Sequence, residues 1–206
     1  GEDDHRHRGQ RLIGAQLLKL HDFRSSPRST KGQQGAARVA RDHPQVTWWC
    51  PQLPPSPRAA MALVMDGIAG WPRDRMGVIG SSLGGFYATW VPHETGCRAV
   101  VLNPAVHAAR DLARHIGEQT AWHDPAERFH FEPHYVDELR ALERGPLPHP
   151  ERLFAVIAKG DEVLDWREMT ARYPGSPIRL LEGGDHALSD FGGHLDEVLA
   201  FLDLPR

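Results

Sequence analysis

A serine at position 82 stands where a nucleophile could be held, inside the pentapeptide Gly80-Ser81-Ser82-Leu83-Gly84. This G-x-S-x-G pattern follows a short apolar run, Met76 to Ile79, and precedes a helical pattern that begins at Leu83. A strand, a tight turn and a helix in that order expose a serine hydroxyl on a strained turn, and the flanking glycines leave room for it. We therefore predict that Ser82 is a nucleophile.

A serine hydroxyl needs a general base at neutral pH, and a histidine base needs a carboxylate to fix its tautomer. Both follow Ser82 in the order serine, acid, histidine. Asp161 follows the apolar run Leu153 to Ala158 and is separated from it by Lys159 and Gly160. His186 lies in a glycine-rich loop near the C-terminus. These residues predict a catalytic triad of Ser82, Asp161 and His186.

Three other carboxylates compete for the role of the acid. Glu162 and Asp165 follow Asp161 closely, but they lie nearer to the next predicted helix. Asp185 is adjacent to His186 in the chain, and neighbouring side chains point apart and seldom make the required hydrogen bond. Asp161 is therefore preferred.

Acyl transfer also needs backbone N–H groups aimed at the oxyanion that develops on the substrate. The first expected donor is the amide of Leu83, directly after the nucleophile. The second is the amide of Phe23, in the loop that follows the first predicted strand. His21 and Asp22 of the same loop are expected to line the substrate pocket.

Short apolar runs alternate along the chain with amphipathic stretches. The predicted strands are Leu17 to Leu20, Val46 to Cys50, Met76 to Ile79, Ala99 to Leu102, Leu153 to Ala158 and Ile178 to Leu181. The predicted helices are Gly35 to Arg41, Arg58 to Ile68, Leu83 to Val91, Ala108 to Ile116, Tyr135 to Leu142, Asp165 to Arg172 and a last one around Leu195 to Leu202. Consecutive apolar positions are typical of strands buried on both faces, so we predict an α/β fold whose mostly parallel sheet has about six strands flanked by helices.

Residues 107 to 150 form a long connection between two predicted strands. The part from 117 onward shows no clear strand and contains several prolines. Insertions of this length are usually lids or binding loops, so we predict a small lid. Trp122 lies in this lid and is a candidate for lining the substrate pocket.

Composition narrows the function further. The chain has 206 residues, a net charge of −3 and no apolar run long enough to span a membrane, and its basic residues form no large patch for nucleic acid. We expect residues 1 to 10, which lack any apolar side chain, to be a disordered or tag-like lead-in, and residues 11 to 206 to form one domain. No export signal is visible, so the expected location is the cytoplasm.

Metal chemistry is also weighed, because the chain has 13 histidines. Its two cysteines are too few for a cysteine zinc site. His130 and His134 have a metal-ligand spacing, but Pro133 between them disfavours one regular helix that carries both. We therefore expect no metal and no cofactor.

Six sequence blocks carry a family resemblance. They are L-H-D-F-R-S-S-P-R-S, P-Q-L-P-P-S-P, G-S-S-L-G-G-F-Y-A-T-W, V-L-N-P-A-V, K-G-D-E-V-L-D and E-G-G-D-H-A. Together they resemble the YqiA-like small bacterial esterases of the α/β-hydrolase superfamily over about residues 17 to 204. The resemblance implies a minimal α/β-hydrolase that cleaves small-molecule acyl esters or thioesters, with acyl-CoA as one candidate, and it supports the triad above.

One position departs from the family pattern, which reads H-G-F where this chain has His21-Asp22-Phe23. Glycine suits a backbone that approaches the substrate closely or adopts positive φ. A carboxylate ~6 Å from an oxyanion, at an effective dielectric constant of ~20, would cost about 2–3 kcal/mol. We expect reduced activity, and two alternatives stay open: a binding module whose oxyanion loop Asp22 has spoiled, and another triad chemistry such as C–C bond cleavage.

Overall fold

The computed structural model describes residues 16–122 and 124–204, so the expected lead-in at residues 1 to 10 lies outside the described residues. The strands are β1 (Gln16–Leu20), β2 (Thr47–Trp49), β3 (Met76–Ser81), β4 (Arg98–Leu102), β5 (Gly117–Thr120), β6 (Arg128–Phe131), β7 (Leu153–Ala158) and β8 (Ile178–Leu181). The α-helices are α1 (Thr30–Asp42), α2 (Pro57–Gly67), α3 (Leu83–Thr95), α4 (Ala108–Leu112), α5 (Pro133–Leu142), α6 (Trp166–Arg172) and α7 (Leu195–Phe201).

Six strands form one parallel sheet in the order β2-β1-β3-β4-β7-β8, which confirms the predicted α/β class and strand number. Every residue of β3 and β7 is buried, as the continuous apolar runs predict. Gly80 lies beside Leu20 in the sheet, and Ser81 lies beside Leu102. The loops after β1, β3, β4, β7 and β8 therefore meet at one edge, where α/β proteins hold their ligands.

Helices cover both faces of this sheet. Alternate residues of the strands divide between two apolar clusters: Leu18 and Val78 belong to one, while Leu17 and Ile79 belong to the other. The first cluster is completed by α2 to α6 and the second by α1 and α7. The sheet is thus a rigid layer packed on two sides, which suits it to holding catalytic loops at its edge.

The expectation that residues 117 to 150 contain no strand is wrong. Residues 117–120 and 128–131 pair as an antiparallel hairpin, with Gly117 opposite Phe131. Arg128 and His130 are exposed, whereas Phe129 is partly buried and Phe131 is buried. The alternation typical of a strand is therefore present. It covers only four residues between proline-rich segments, which is too short to predict a strand.

Several helix boundaries also differ, most of all in α1, α3 and α4, and α3 continues to Thr95 rather than ending at Val91. The first helix begins at Thr30 rather than Gly35, because the Ser29 hydroxyl caps it by accepting from the Gly32 amide at 3.1 Å. The fourth helix stops at Leu112, and a short 3₁₀ turn continues to His115. Across residues 16–122 and 124–204, no helix has both the length and the apolar character needed to cross a membrane.

Candidate active site

Ser82 occupies the sharp turn between β3 and α3. Its φ of 53° and ψ of −116° are unusual for a residue other than glycine. The turn is held from the next strand and its loop, because the Ser82 amide donates to the Leu102 carbonyl at 3.0 Å and the Ser82 carbonyl accepts from the Ala105 amide at 2.9 Å. The surrounding backbone therefore stabilises a strained conformation at this serine, as is common at functional sites.

The two glycines of the motif are required by close packing. A methyl group on Gly80 would fall 2.0 Å from the carbonyl oxygen of Gly84. A methyl group on Gly84 would fall 2.2 Å from the carbonyl oxygen of Leu20. The motif thus lets α3 lie directly against the ends of β1 and β3, which brings Ser82 beside the loop that follows β1.

The side chains of Asp161 and His186 lie in contact. Asp161 Oδ2 accepts a hydrogen bond from His186 Nδ1 at 2.7 Å, and the Asp161 side chain is fully buried while that of His186 is 17% exposed. The other carboxylate oxygen, Oδ1, accepts from the amides of Val163 and Leu164, each at 2.8 Å. These bonds fix the carboxylate, so the imidazole carries its proton on Nδ1 and leaves Nε2 as the basic nitrogen.

The environment of His186 favours its charged form. Burial lowers the pKa of His186, but the hydrogen bond to Asp161 and the charges of Asp161, Asp22 and Glu162 outweigh burial and raise the pKa above its usual value. A raised pKa suits an imidazole that must accept a proton during a reaction.

The three competing carboxylates have other partners. Glu162 accepts from the backbone amide of His186 at 3.0 Å, so it contacts the histidine without reaching its ring nitrogens. Asp165 caps α6 by accepting from the Arg167 amide at 2.9 Å. Asp185 accepts hydrogen bonds from the amide and hydroxyl of Ser189. Among these carboxylates and Asp161, only Asp161 contacts the imidazole.

Asn103, which was not predicted as a site residue, connects three segments at the edge of the sheet. Its side-chain amide donates to the carbonyls of Asp185 at 3.0 Å and His186 at 3.1 Å. Its side-chain oxygen accepts from the Ala158 amide at 2.8 Å. A buried asparagine at the end of β4 with φ of 41° thus fastens the histidine loop to β4 and β7.

A cavity of about 720 Å³ opens over this edge of the sheet. Ser82 and His186 both line it, as do Asp22, Phe23 and Leu83. Among the hydrogen bonds of the described residues, none joins Ser82 directly to His186. Such bonds are often long in the absence of substrate, so the shared cavity is the relevant relationship.

The loop after β1 is held from both sides. His21 is buried, donates from Nδ1 to the Asp22 carbonyl at 2.8 Å and accepts at Nε2 from the Leu53 amide at 2.9 Å. Because Nε2 accepts from a backbone N–H, the proton of this ring lies on Nδ1. His21 therefore shapes the loop, and it lines a second cavity rather than the first.

The predicted lid holds the other side of the same loop. Trp122 Nε1 donates to the Phe23 carbonyl at 3.2 Å, and the Trp122 amide donates to the Arg24 carbonyl at 2.8 Å. The Arg24 guanidinium bonds to the carbonyl and hydroxyl of Thr120 at 2.6 and 2.8 Å, and it stacks over the Trp122 ring at 4.0 Å. Arg24 was not predicted as a site residue, since charge alone gives no signal of this pairing.

The ring of Phe23 packs against three aromatic rings of the 107–150 segment. Their centroids lie 5.4 Å away for His115, 5.8 Å for Phe129 and 5.3 Å for Phe131. Aromatic pairs at such separations are stabilising. The conformation of the β1 loop therefore depends on the β5–β6 hairpin.

Asp22 stands where the family pattern has glycine, but its φ is not positive. The residue of this loop with positive φ is Arg24, at 64°. The Oδ1 atom of Asp22 is buried with no hydrogen-bond partner, and Asp22 lines the cavity that contains Ser82. Burial raises the pKa of Asp22, although the charges of Lys31, Lys19 and His186 act in the opposite direction. A titratable carboxyl group thus lines the same cavity as Ser82.

Lys19 lies beneath this loop, inside the apolar strand β1. It is 1% exposed, and its ammonium group donates to the Leu20 carbonyl at 3.1 Å. Burial lowers the pKa of Lys19 to about 8, against the opposing charges of Asp22 and Cys50. The buried lysine and Asp22 therefore influence each other electrostatically.

Metal ligands do not converge in the part of the chain that the structure describes, where no group of three or more histidine, cysteine or acidic side chains is placed to hold an ion. His130 lies in β6 and His134 in α5. Their nearest acidic oxygens belong to Glu132 at 3.8 Å and Glu138 at 3.7 Å.

The architecture defines the class of protein as an α/β-hydrolase fold, and similar solved structures share it. Mouse alpha/beta hydrolase domain-containing protein 10 is 14% identical, with a TM-score of 0.64, over 91% of this chain and 90% of that protein. Est1E from Butyrivibrio proteoclasticus, with ferulic acid bound, is 14% identical with a TM-score of 0.66 over 89% and 86%. The esterase domain of a Rhodothermus marinus protein is 16% identical with a TM-score of 0.59 over 94% and 88%.

The chain itself belongs to the Uncharacterised protein family (UPF0227), whose model matches residues 16–203. This is the family of YqiA-like proteins, so the resemblance found in the sequence is confirmed.

Proposed function

We propose that this protein is a serine esterase or thioesterase in which Ser82, His186 and Asp161 form the catalytic triad. The observation that carries the proposal is the Asp161–His186 hydrogen bond of 2.7 Å at the cavity that also contains Ser82 on its strained turn. A serine, an imidazole oriented by a carboxylate and a shared cavity are the parts that acyl transfer needs. The similar solved structures support the proposal, because besides Est1E they include an alpha/beta hydrolase domain-containing protein and an esterase domain.

The reaction has two halves. In the first, Ser82 Oγ attacks the acyl carbonyl carbon while His186 Nε2 takes the hydroxyl proton, and the carbonyl oxygen becomes an oxyanion. When the carbonyl re-forms, the bond to the leaving oxygen or sulfur breaks and the leaving group receives the proton from Nε2. In the second, Nε2 takes a proton from water, the hydroxide attacks the acyl-enzyme, and the carboxylic acid leaves as Ser82 regains its proton.

The oxyanion is stabilised by the amides of Leu83 and Phe23. The Leu83 amide begins α3, so it has no acceptor within its own helix. The Phe23 amide belongs to the loop that His21 and Trp122 hold from its two sides. Asp161 keeps its charge throughout and stabilises the imidazolium, with no cofactor taking part.

The substrate is a small-molecule acyl ester, and acyl-CoA is the thioester candidate. The cavity that contains Ser82 is lined by charges of both signs, including Lys31 and Glu162, so charge does not select one leaving group. A panel of p-nitrophenyl esters and acyl-CoA thioesters therefore separates esterase from thioesterase activity by kcat/KM.

A fluorophosphonate probe tests the nucleophile directly. The wild-type protein should be labelled once per chain, and Ser82→Ala should abolish labelling. The matched control is Ser81→Ala, because the Ser81 hydroxyl is buried without a hydrogen-bond partner and its loss should leave labelling intact. A folded wild-type protein that is not labelled would instead support a binding module whose loop is spoiled by Asp22.

A further inference from the structure

A second cavity, of about 390 Å³, lies on the other side of the β1 loop. Its volume is within the range of about 300–1,000 Å³ that small-molecule pockets occupy. Most of its lining is apolar and comes from Leu53, Pro54, Pro55, Leu63, Tyr87 and Phe129. Nothing in the mechanism above uses this space.

The two cavities meet at the residues assigned to the oxyanion hole. Phe23 and Leu83 line both of them, together with Asp22, Arg24 and Ser25 of the β1 loop. Ser82 and His186, in contrast, line the first cavity and are absent from the lining of the second. A carbonyl group bound to the two amides therefore has one cavity on each side.

The chemistry then decides which side of the substrate enters which cavity. The leaving oxygen or sulfur must receive a proton from His186, so it has to be in the cavity that His186 lines. The other substituent of the carbonyl carbon is the acyl chain, and it extends away from His186. The apolar part of the second cavity, which includes Leu63, Pro54 and Phe129, suits an acyl chain, and the charged residues Asp22, Arg24, Glu127 and Arg128 line the rest of it.

We propose that the second cavity is the acyl pocket and that the substrate is an ester or thioester of an apolar acid, its chain held by Leu63, Pro54 and Phe129 while the leaving group occupies the first cavity. This inference rests on the proposed function. Each methylene that the pocket buries should raise kcat/KM up to about fourfold, so activity should increase from acetyl to octanoyl esters.

Leu63 is the position at which to test the assignment. It lies on α2, lines the second cavity and is 38% exposed, so a larger side chain can be accommodated at the rim without repacking the core. In Leu63→Trp, the ratio of kcat/KM for p-nitrophenyl octanoate to that for p-nitrophenyl acetate should fall at least tenfold. Leu63→Ala enlarges the pocket and should keep or raise the same ratio.

The matched control introduces the same side chain at the first cavity. Arg114 is exposed and lines that cavity and not the second, so Arg114→Trp should leave the octanoate-to-acetate ratio at its wild-type value. The acyl-pocket assignment is overturned if Leu63→Trp leaves the ratio unchanged, or if Arg114→Trp lowers it as much. A wild-type protein that hydrolyses no ester or thioester overturns the proposed function as well, so the two failures are distinguishable.

Discussion

Trp122 Nε1 donates a hydrogen bond to the carbonyl oxygen of Phe23 at 3.2 Å, across 99 residues of sequence. The tryptophan is 68% exposed, so this bond does not arise from burial of the ring in the core. It joins the 107–150 segment to the loop whose amide we assign to the oxyanion hole. Trp122 was expected only to line the substrate pocket; it lines the cavity that contains Ser82, and it also holds this loop.

Replacing Trp122 should therefore impair the chemical step more than binding. In Trp122→Phe the ring remains but the bond to Phe23 is lost, which at about 0.5–1.5 kcal/mol corresponds to a fall in kcat of roughly 2- to 12-fold. KM for p-nitrophenyl acetate should change little. Trp166→Phe is the control, since Trp166 lies outside both cavities. A larger effect on KM than on kcat would mean that Trp122 only contacts substrate.

Asp22 should lower activity through its charge. Asp22→Gly and Asp22→Asn both remove the carboxylate beside the oxyanion, and kcat should rise by up to about 100-fold where Asp22 is ionised. Because burial raises the pKa of Asp22, the wild-type carboxyl becomes neutral as pH falls, and the difference from the variants should shrink. Equal kcat for wild type and Asp22→Gly across the pH range would show that the charge has no effect.

The pH profile should report His186. The imidazole must be neutral to act as a base, so kcat/KM should fall as pH drops through the pKa of His186, which lies above its usual 6.5. Glu162→Gln removes a negative charge that raises this pKa, so the acidic limb should move to lower pH. Asp165→Asn removes a charge from the same loop at the cap of α6 and should leave the limb in place. An equal shift in both variants would point to a general charge effect.

Asn103 should act as a positioning residue. Asn103→Gly keeps a backbone able to adopt φ of 41° but leaves the carbonyl of His186 and the buried amide of Ala158 without this partner. We expect the free energy of unfolding to fall by about 1–3 kcal/mol in urea titrations. The rate of fluorophosphonate labelling per folded molecule should fall too. Unchanged labelling with reduced stability would show that Asn103 supports the fold alone.

The sheet was predictable because its strands are buried on both faces. Leu153–Ala158 and Ile178–Leu181 agree with the predicted bounds, and the other strands differ by one or two residues at an end. The hairpin was not predictable, because each of its strands has only four residues, which is too few to establish an alternation.

Candidate site residues were found where the chemistry demands one residue type. Asp161 and His186 could be paired from chain order alone, and the structure brings them into contact, while their catalytic roles stay a prediction. Arg24 and Asn103 could not be found this way. Their importance comes from partners that are 96 and 55 residues distant in sequence, which no local pattern reveals.

The histidine loop and the loop of Phe23 are attached to two different sheets. The histidine loop is tied through Asn103 to the central parallel sheet, whereas the loop of Phe23 is tied to the two-stranded hairpin. Local unfolding begins where the structure is least supported, and an isolated pair of short strands opens more readily than a sheet covered on both faces. On warming, the hairpin should loosen before the core melts. Heat would then abolish turnover at a temperature where the molecule is still folded, and cooling would restore it.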